Sequence, residues 1–232
     1  PFRGGTHLPD VTVITPVFDP EGREILFYAG SRGHHADIGG RTPGSAPPDS
    51  RTIDEEGVVI ENFLLVSQGQ IREAEARLLL ASGTYPCRNI DQNLADLQAQ
   101  VAANETGRRG LLRAMAEHGR DTVIAYMGHV QANAEASVRR VIGSLRDGAF
   151  DYPLDHGARI RVAVSVDVAA REAVIDFTGT SEQHEGNFNA PLAGCKAVVL
   201  YVFRTLVGND IPLNEGCLRP LRIIAPEGSM IN

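Results

Sequence analysis

The residue pattern predicts an α+β fold: β-hairpins or a mixed sheet, a long antiparallel helical hairpin and a buried C-terminal helix. Three observations carry that expectation. Short runs with period-two alternation lie near both ends of the chain, apolar stripes spaced by threes and fours occupy its middle, and one continuous apolar run, "AVVLYVF", falls near residue 200. The first run, "VTVITPVF" (Val11 to Phe18), is followed by the turn "DPEGR" and by "EILFYAG" (Glu24 to Gly30), which together read as a hairpin. "GGRTPGSAPPDS" (Gly39 to Ser50) is too rich in Gly and Pro for regular structure, and a loop of that length in a compact domain is functional or mobile.

From about Gln92 the period changes. Leu94, Leu97, Val101, Leu111 and Met115 form one helical stripe; Val123, Met127, Val130, Val138, Val141 and Leu145 form another. Gly119 is the stop between them and Asp121 the N-cap of the second. After "DGAFDYP" a second hairpin begins, with Ile160, Val162, Val164 and Val166 on one face, the turn "DVAAR" and the strand "EAVIDFTG". A helix from about Pro191 to Gly208 has an apolar face wide enough to predict burial, and "LRPLRIIAP" reads as a last strand. This organisation divides the chain at residues 1–88, 89–148 and 149–232, a β-rich segment, a helical hairpin and a hairpin-helix-strand segment. The start at Pro1 without Met and the stop just after a strand-like run read as one incomplete domain of a longer protein.

A chain of 232 residues can bury a core without staples. Its 43% hydrophobic and 22% charged residues argue against disorder. A net charge of -7, with no basic run interleaved with aromatics, argues against nucleic acid and anionic membrane as partners. The longest apolar stretch falls short of the ~20 residues that a membrane span needs. Cys87, Cys195 and Cys217 are odd in number and widely spaced, which reads as buried cytosolic thiols rather than a disulfide framework or a nucleophile.

Chemistry concentrates in two clusters, "GGTHLPD" and "SRGHHADIGG". One precedes the first strand and the other follows the second, so antiparallel pairing brings them together. Imidazole and carboxylate suit borderline divalent metals, and a catalytic site needs about three protein ligands with a position left open. His7, Asp10 and one of His34 or His35 would supply them, because neighbours in an extended segment point to opposite sides. The other histidine would orient a ligand or touch substrate, and Asp37 is available as a further ligand or as general base. Arg41 and Ser45 in the Gly/Pro loop are candidate substrate contacts. The loop lacks the G-K-[ST] ending of a nucleotide loop. "TGTSEQHEGNFNAP" places Asn187 and Asn189 before a helix, where polar side chains cap or recognise an anion or carbonyl. His118, His129 and His156 read as ordinary surface or packed residues.

"RGGTHLPDVTVITPVF", "SRGHHADIGGRTPGSAPPDSRTIDEEGV", "YMGHVQANAE", "DFTGTSEQHEGNFNAP" and "LNEGCLRPLRIIAPEGSMIN" together resemble the hydantoinase B family in order along the whole chain. That family comprises the B subunit of N-methylhydantoinase, the matching half of 5-oxoprolinase and the alpha subunits of acetone and acetophenone carboxylases. The resemblance implies a cytoplasmic enzyme subunit in a hetero-oligomer with a hydantoinase A-type partner subunit or domain. That partner uses ATP to phosphorylate the amide or enol oxygen of the substrate. The B part then opens a hydantoin, 5-oxoproline or related lactam by hydrolysis; in the ketone branch it carboxylates instead. The metal pattern of the carboxylase branch maps best onto His7, Asp10 and His34, with zinc, manganese or iron as the ion. His35 and Asp37 are then the catalytic candidates. A non-catalytic assembly subunit, in which the histidines are structural, is the rival from another class.

Overall fold

A computed structural model describes residues 4–208 and 210–232. Its mixed helices and small sheets make the fold α+β, as the pattern predicts. The chain forms two compact units, His7–Glu117 and His118–Asn232.

In the first unit, β1 (Asp10–Phe18) pairs antiparallel with β2 (Ile25–His34). The pairing register runs from Asp10 opposite His34 to Phe18 opposite Ile25. Pro16 sits within β1, which is tolerated because a two-stranded ribbon consists only of edges. Strand β2 runs four residues beyond the expected end at Gly30, so His34 closes the strand rather than following it. The small residues Ala29, Ser31 and Gly33 share one face of β2, and Gln100 packs against Gly33 at a distance that leaves little room for a Cβ. Glycine and serine there let a helix lie close to the ribbon.

That helix is α2, if α1 is the short helix Glu73–Leu80 and α2 is Ile90–His118. Sequence periodicity missed α1, whose eight residues are too few to set a stripe, although Ala76 and Leu80 are fully buried. The ribbon β3 (Val66–Ser67) and β4 (Gln70–Ile71) precedes it. Helix α2 buries Asn93, Leu94, Leu97, Gln100 and Asn104, a seam spaced by threes and fours in which amides replace apolar side chains at three of five places. The core of this unit is Ile38, Val58, Ala76, Leu80, Cys87, Leu94 and Leu97, edged by Val11, Val13, Ile60 and Phe63.

The second unit opens with α3 (Arg120–Ile142). Its N-cap is Gly119 rather than Asp121, which instead lies in the first turn and favours the helix dipole from there. The expected apolar stripe is buried only in the second half, through Ala134, Val138 and Ile142; Met127 and Val130 are exposed. A four-stranded sheet follows in the order β5 (Gly148–Pro153), β6 (Arg159–Asp167), β7 (Glu172–Asp176) and β8 (Leu221–Ile224). Strand β5 was not expected: Phe150 and Tyr152 are both exposed, so this edge strand has no buried face for alternation to reveal. Strands β7 and β8 run parallel, with α4 (Leu192–Leu206) in the connection between them. Helix α4 buries Cys195, Val199 and Phe203. The face bearing Val198, Tyr201, Val202 and Leu206 is exposed, so the width of its apolar surface overstated its burial. The main core of this unit joins Ala134, Val138 and Ile142 to Ala173, Ile175, Val199, Phe203 and Cys217.

Candidate metal centre

The ribbon register decides which polar groups meet. Asp10 and His34 are direct cross-strand partners, so their side chains leave the same face of the pleat. His7 reaches that face through a tight turn, in which the Asp10 amide donates to the His7 carbonyl at 3.2 Å and the His35 amide donates to the Pro9 carbonyl at 2.8 Å. His7 Nδ1 lies 3.0 Å from Asp10 Oδ2, and the His7 and His34 rings are 5.0 Å apart between centroids. One ligand atom from each of the three side chains falls within 4.8 Å of the others. Donors about 2.1 Å from a tetrahedral ion lie ~3.4 Å from one another. The His7–Asp10 pair is already near that spacing, and the exposed rings of His7 and His34 have room to rotate inward. Two imidazoles and one carboxylate with an open outer side fit a first-row divalent ion.

His35 goes the other way. It is 1% exposed, with both ring nitrogens engaged. Asn93 Nδ2 lies 2.9 Å from Nδ1 and also donates to the Asp37 carbonyl at 2.7 Å. Gln100 Oε1 lies 3.2 Å from Nε2, while Gln100 Nε2 donates to the carbonyls of Val11 and Ser31. Backbone carbonyls thus fix which end of each amide faces the ring, and they assign the hydrogen of His35 to Nε2. The structure therefore places His35 in the core as the pin between β2 and α2, away from the His7, Asp10 and His34 face. Its expected contact with substrate has no geometric support.

Asp37 is similarly occupied. It accepts from the amides of Gly39, Arg88 and Gly44 and from the Arg88 guanidinium at 2.7 Å. Burial pushes its carboxyl up, but the hydrogen bonds from Gly39, Arg88 and Gly44 outweigh that and hold it below the usual carboxylate range. A carboxylate so held organises the loop and is a poor proton acceptor. Arg88 also donates to the Gly40 carbonyl at 2.6 Å. Gly39 and Gly40 both have φ of +89°, and a Cβ on either would strike the carbonyl oxygen of Tyr85 or Glu56.

The remaining expected contacts are built into loops. Arg41 pairs with Asp49 and with Glu55, the latter at 3.3 Å. The Ser45 hydroxyl donates to the Gly39 carbonyl at 2.6 Å and accepts from the Ile38 amide at 2.8 Å, leaving it buried. In the second unit, Asn189 fastens its own loop: its Oδ1 accepts from the His184 amide and its Nδ2 donates to the carbonyls of His184 and Gly186, all at 2.8 Å. Asn187 is half-buried in the same loop. Sequence reasoning missed Asn93, Gln100 and Arg88, whose roles depend on contacts some fifty to seventy residues away along the chain. It also missed Arg32, two residues before His34 on the same face of β2, which could have been found by counting the alternation back from His34. The three cysteines are buried and free, and burial raises the Cys87 thiol to about 11.

The sequence profile described as hydantoinase B/oxoprolinase matches residues 1–232. The protein named 5-oxoprolinase 1 of Arabidopsis thaliana is 43% identical over 257 aligned residues, covering the whole of this chain and 20% of its own length. The chain thus spans about a fifth of that relative. Among solved structures, the ATP-dependent caprolactamase from Pseudomonas jessenii superposes on 98% of this chain with a TM-score of 0.82 and 27% identity, using 39% of its own length. A nucleotide-free acetone carboxylase shares the fold over 97% of this chain and 32% of its own, with a TM-score of 0.79 and 18% identity. No described helix is long and apolar enough to cross a membrane.

Proposed function

Because the chain belongs to the hydantoinase B/oxoprolinase family, we propose that it is the metal-bearing part of a cytoplasmic enzyme that hydrolyses a cyclic amide after ATP-dependent activation. The substrate is 5-oxoproline, a hydantoin or a related lactam, and an A-type subunit or domain in the same assembly performs the ATP step. The names of the 5-oxoprolinase relative and the caprolactamase neighbour support this reading. The observation that carries it is the convergence of His7, Asp10 and His34 on one face of the ribbon.

An unstrained amide is a poor electrophile, which is why activation by phosphorylation makes chemical sense. Within this chain, His7, Asp10 and His34 would hold zinc, manganese or iron; when bound, the ion supplies Lewis acidity toward water and carbonyl oxygen. Cross-strand pairing fixes the Asp10 and His34 backbones, so only side-chain rotation is needed to close the ligand set. His35, the residue after His34 and locked between Asn93 and Gln100, fixes where His34 leaves the strand. The Asp37–Arg88 pair fixes the glycine loop that follows.

The test is product formation by the intact protein with its ATP-using partner on 5-oxoproline, hydantoins and ketones, with and without bicarbonate. Ring-opened acid without bicarbonate is the expected result. The fold shared with acetone carboxylase favours one alternative, ketone carboxylation, and a bicarbonate-dependent keto acid would establish it in place of hydrolysis.

A further inference from the structure

Among the described residues, the metal-facing side of the ribbon carries one strong cation, Arg32. Arg32 is the cross-strand partner of Thr12, in the row next to the Asp10–His34 pair and on the same face. Its Nε donates to Thr12 Oγ1 at 3.0 Å, and its Nη1 lies 4.0 Å from Asp10 Oδ2. Among the described residues its guanidinium meets only those two side chains, and the side chain is 47% exposed. The bond from Nε fixes the plane of the group, and the Nη edge is left beside the ligand cluster.

A guanidinium next to a divalent ion is electrostatically costly unless anions offset both, and Asp10, 4.0 Å from Nη1, supplies one negative charge against three positive ones. Planar N–H pairs match the paired oxygens of phosphate and carboxylate, a geometry that lysine cannot reproduce. We propose that Arg32 is the anion-binding residue of this site, receiving a phosphate or carboxylate oxyanion of the substrate against its Nη edge beside His34 and Asp10. The inference rests on the metal reading above and assigns the residue that selects an anionic substrate. Thr12 is its positioning residue.

The experiment uses the intact protein with Arg32→Gln and Arg32→Lys. Metal content is read by elemental analysis and inorganic phosphate affinity by calorimetry, on metal-loaded and metal-free protein. Activity with the partner is compared on 5-oxoproline and on 2-pyrrolidinone, the same ring without its carboxylate. Arg32→Gln is expected to keep its metal, because a repelling charge has been removed. If the anion is a phosphate, phosphate affinity falls about ten- to a hundredfold and both rings slow alike. If it is the ring carboxylate, phosphate affinity holds and the preference for 5-oxoproline over 2-pyrrolidinone disappears. In either case Arg32→Lys recovers part of the loss. A folded, metal-loaded Arg32→Gln protein with wild-type phosphate affinity and ring preference would overturn the proposal and leave the metal reading standing. Wild-type protein that takes up no metal would sink the metal reading, and the phosphate titration together with the ring preference of the wild-type and Arg32→Gln proteins would still decide Arg32.

Discussion

Each face of the β1–β2 ribbon carries histidine, and the two faces have opposite fates. On the covered face, His35, Asn93, Gln100 and Asn104 are buried; Asn104 donates to the Val13 carbonyl at 3.0 Å, as Gln100 does to Val11 and Ser31. On the open face, His7, Asp10, His34 and Arg32 lie close together, with partial or full exposure, and Ile14 and Tyr28 stand in solvent further along. Polar groups under a helix need partners, because an orphaned buried donor or acceptor costs about 1–3 kcal/mol, and among the buried atoms of these side chains only Asn93 Oδ1 lacks one. Polar groups in the open can keep unsaturated coordination, which binding requires. One step along a strand separates His34 from His35, and that step separates chemistry from architecture.

The largest effect that tests this contrast is at His35. Removing its ring leaves Gln100 Oε1 and one of the two Asn93 Nδ2 hydrogens without a partner and opens a void beneath β2. His35→Ala is therefore expected to destabilise the protein by about 3 kcal/mol or more in urea unfolding. His34→Ala should cost within about 0.5 kcal/mol, as an exposed residue does. Equal costs at the two positions would erase the distinction between the faces. Gln100→Ala comes next, at about 2 kcal/mol, since it strips donors from two strand carbonyls and an acceptor from His35.

A smaller effect concerns acid. The Asp37 carboxyl is held below its unfolded value, so its contribution to stability is complete above about pH 3.9 and is lost as the pH falls through the lower folded value. Asp37→Asn should flatten the acid limb of the stability profile, which urea titrations at successive pH values would read; an unchanged limb would show that the hydrogen bonds from Gly39, Arg88 and Gly44 to Asp37 contribute nothing. Smallest of all, Tyr28→Ser on the open face should move stability by no more than about 0.5 kcal/mol. A larger loss would mean that something covers this face in solution.

Much of this was legible in the sequence, for reasons that differ by residue. The hairpin and the convergence of His7, Asp10 and His34 follow from alternation and antiparallel geometry, both local properties. The division of the two adjacent histidines also follows from the pleat, but not which of them turns inward. That depends on Gln100 and Asn93, which arrive on a helix 65 and 58 residues away in the chain. That Asp37 is held by the loop and by Arg88 was hidden for the same reason: Arg88 is 51 residues distant. Helix α1 escaped notice because eight residues hardly establish a period, and β5 because neither of its faces is buried. The apolar breadth of α4 predicted burial, whereas half of that surface is open.

The measurement closest to the central claim is metal content of the intact protein and of its His7→Ala, Asp10→Ala and His34→Ala variants, after loading with zinc, manganese or iron and removal of excess. The account predicts about one equivalent in the wild type and a loss of tightly held metal in each variant, with thermal stability of the metal-free proteins unchanged. Full occupancy in all three variants would contradict it.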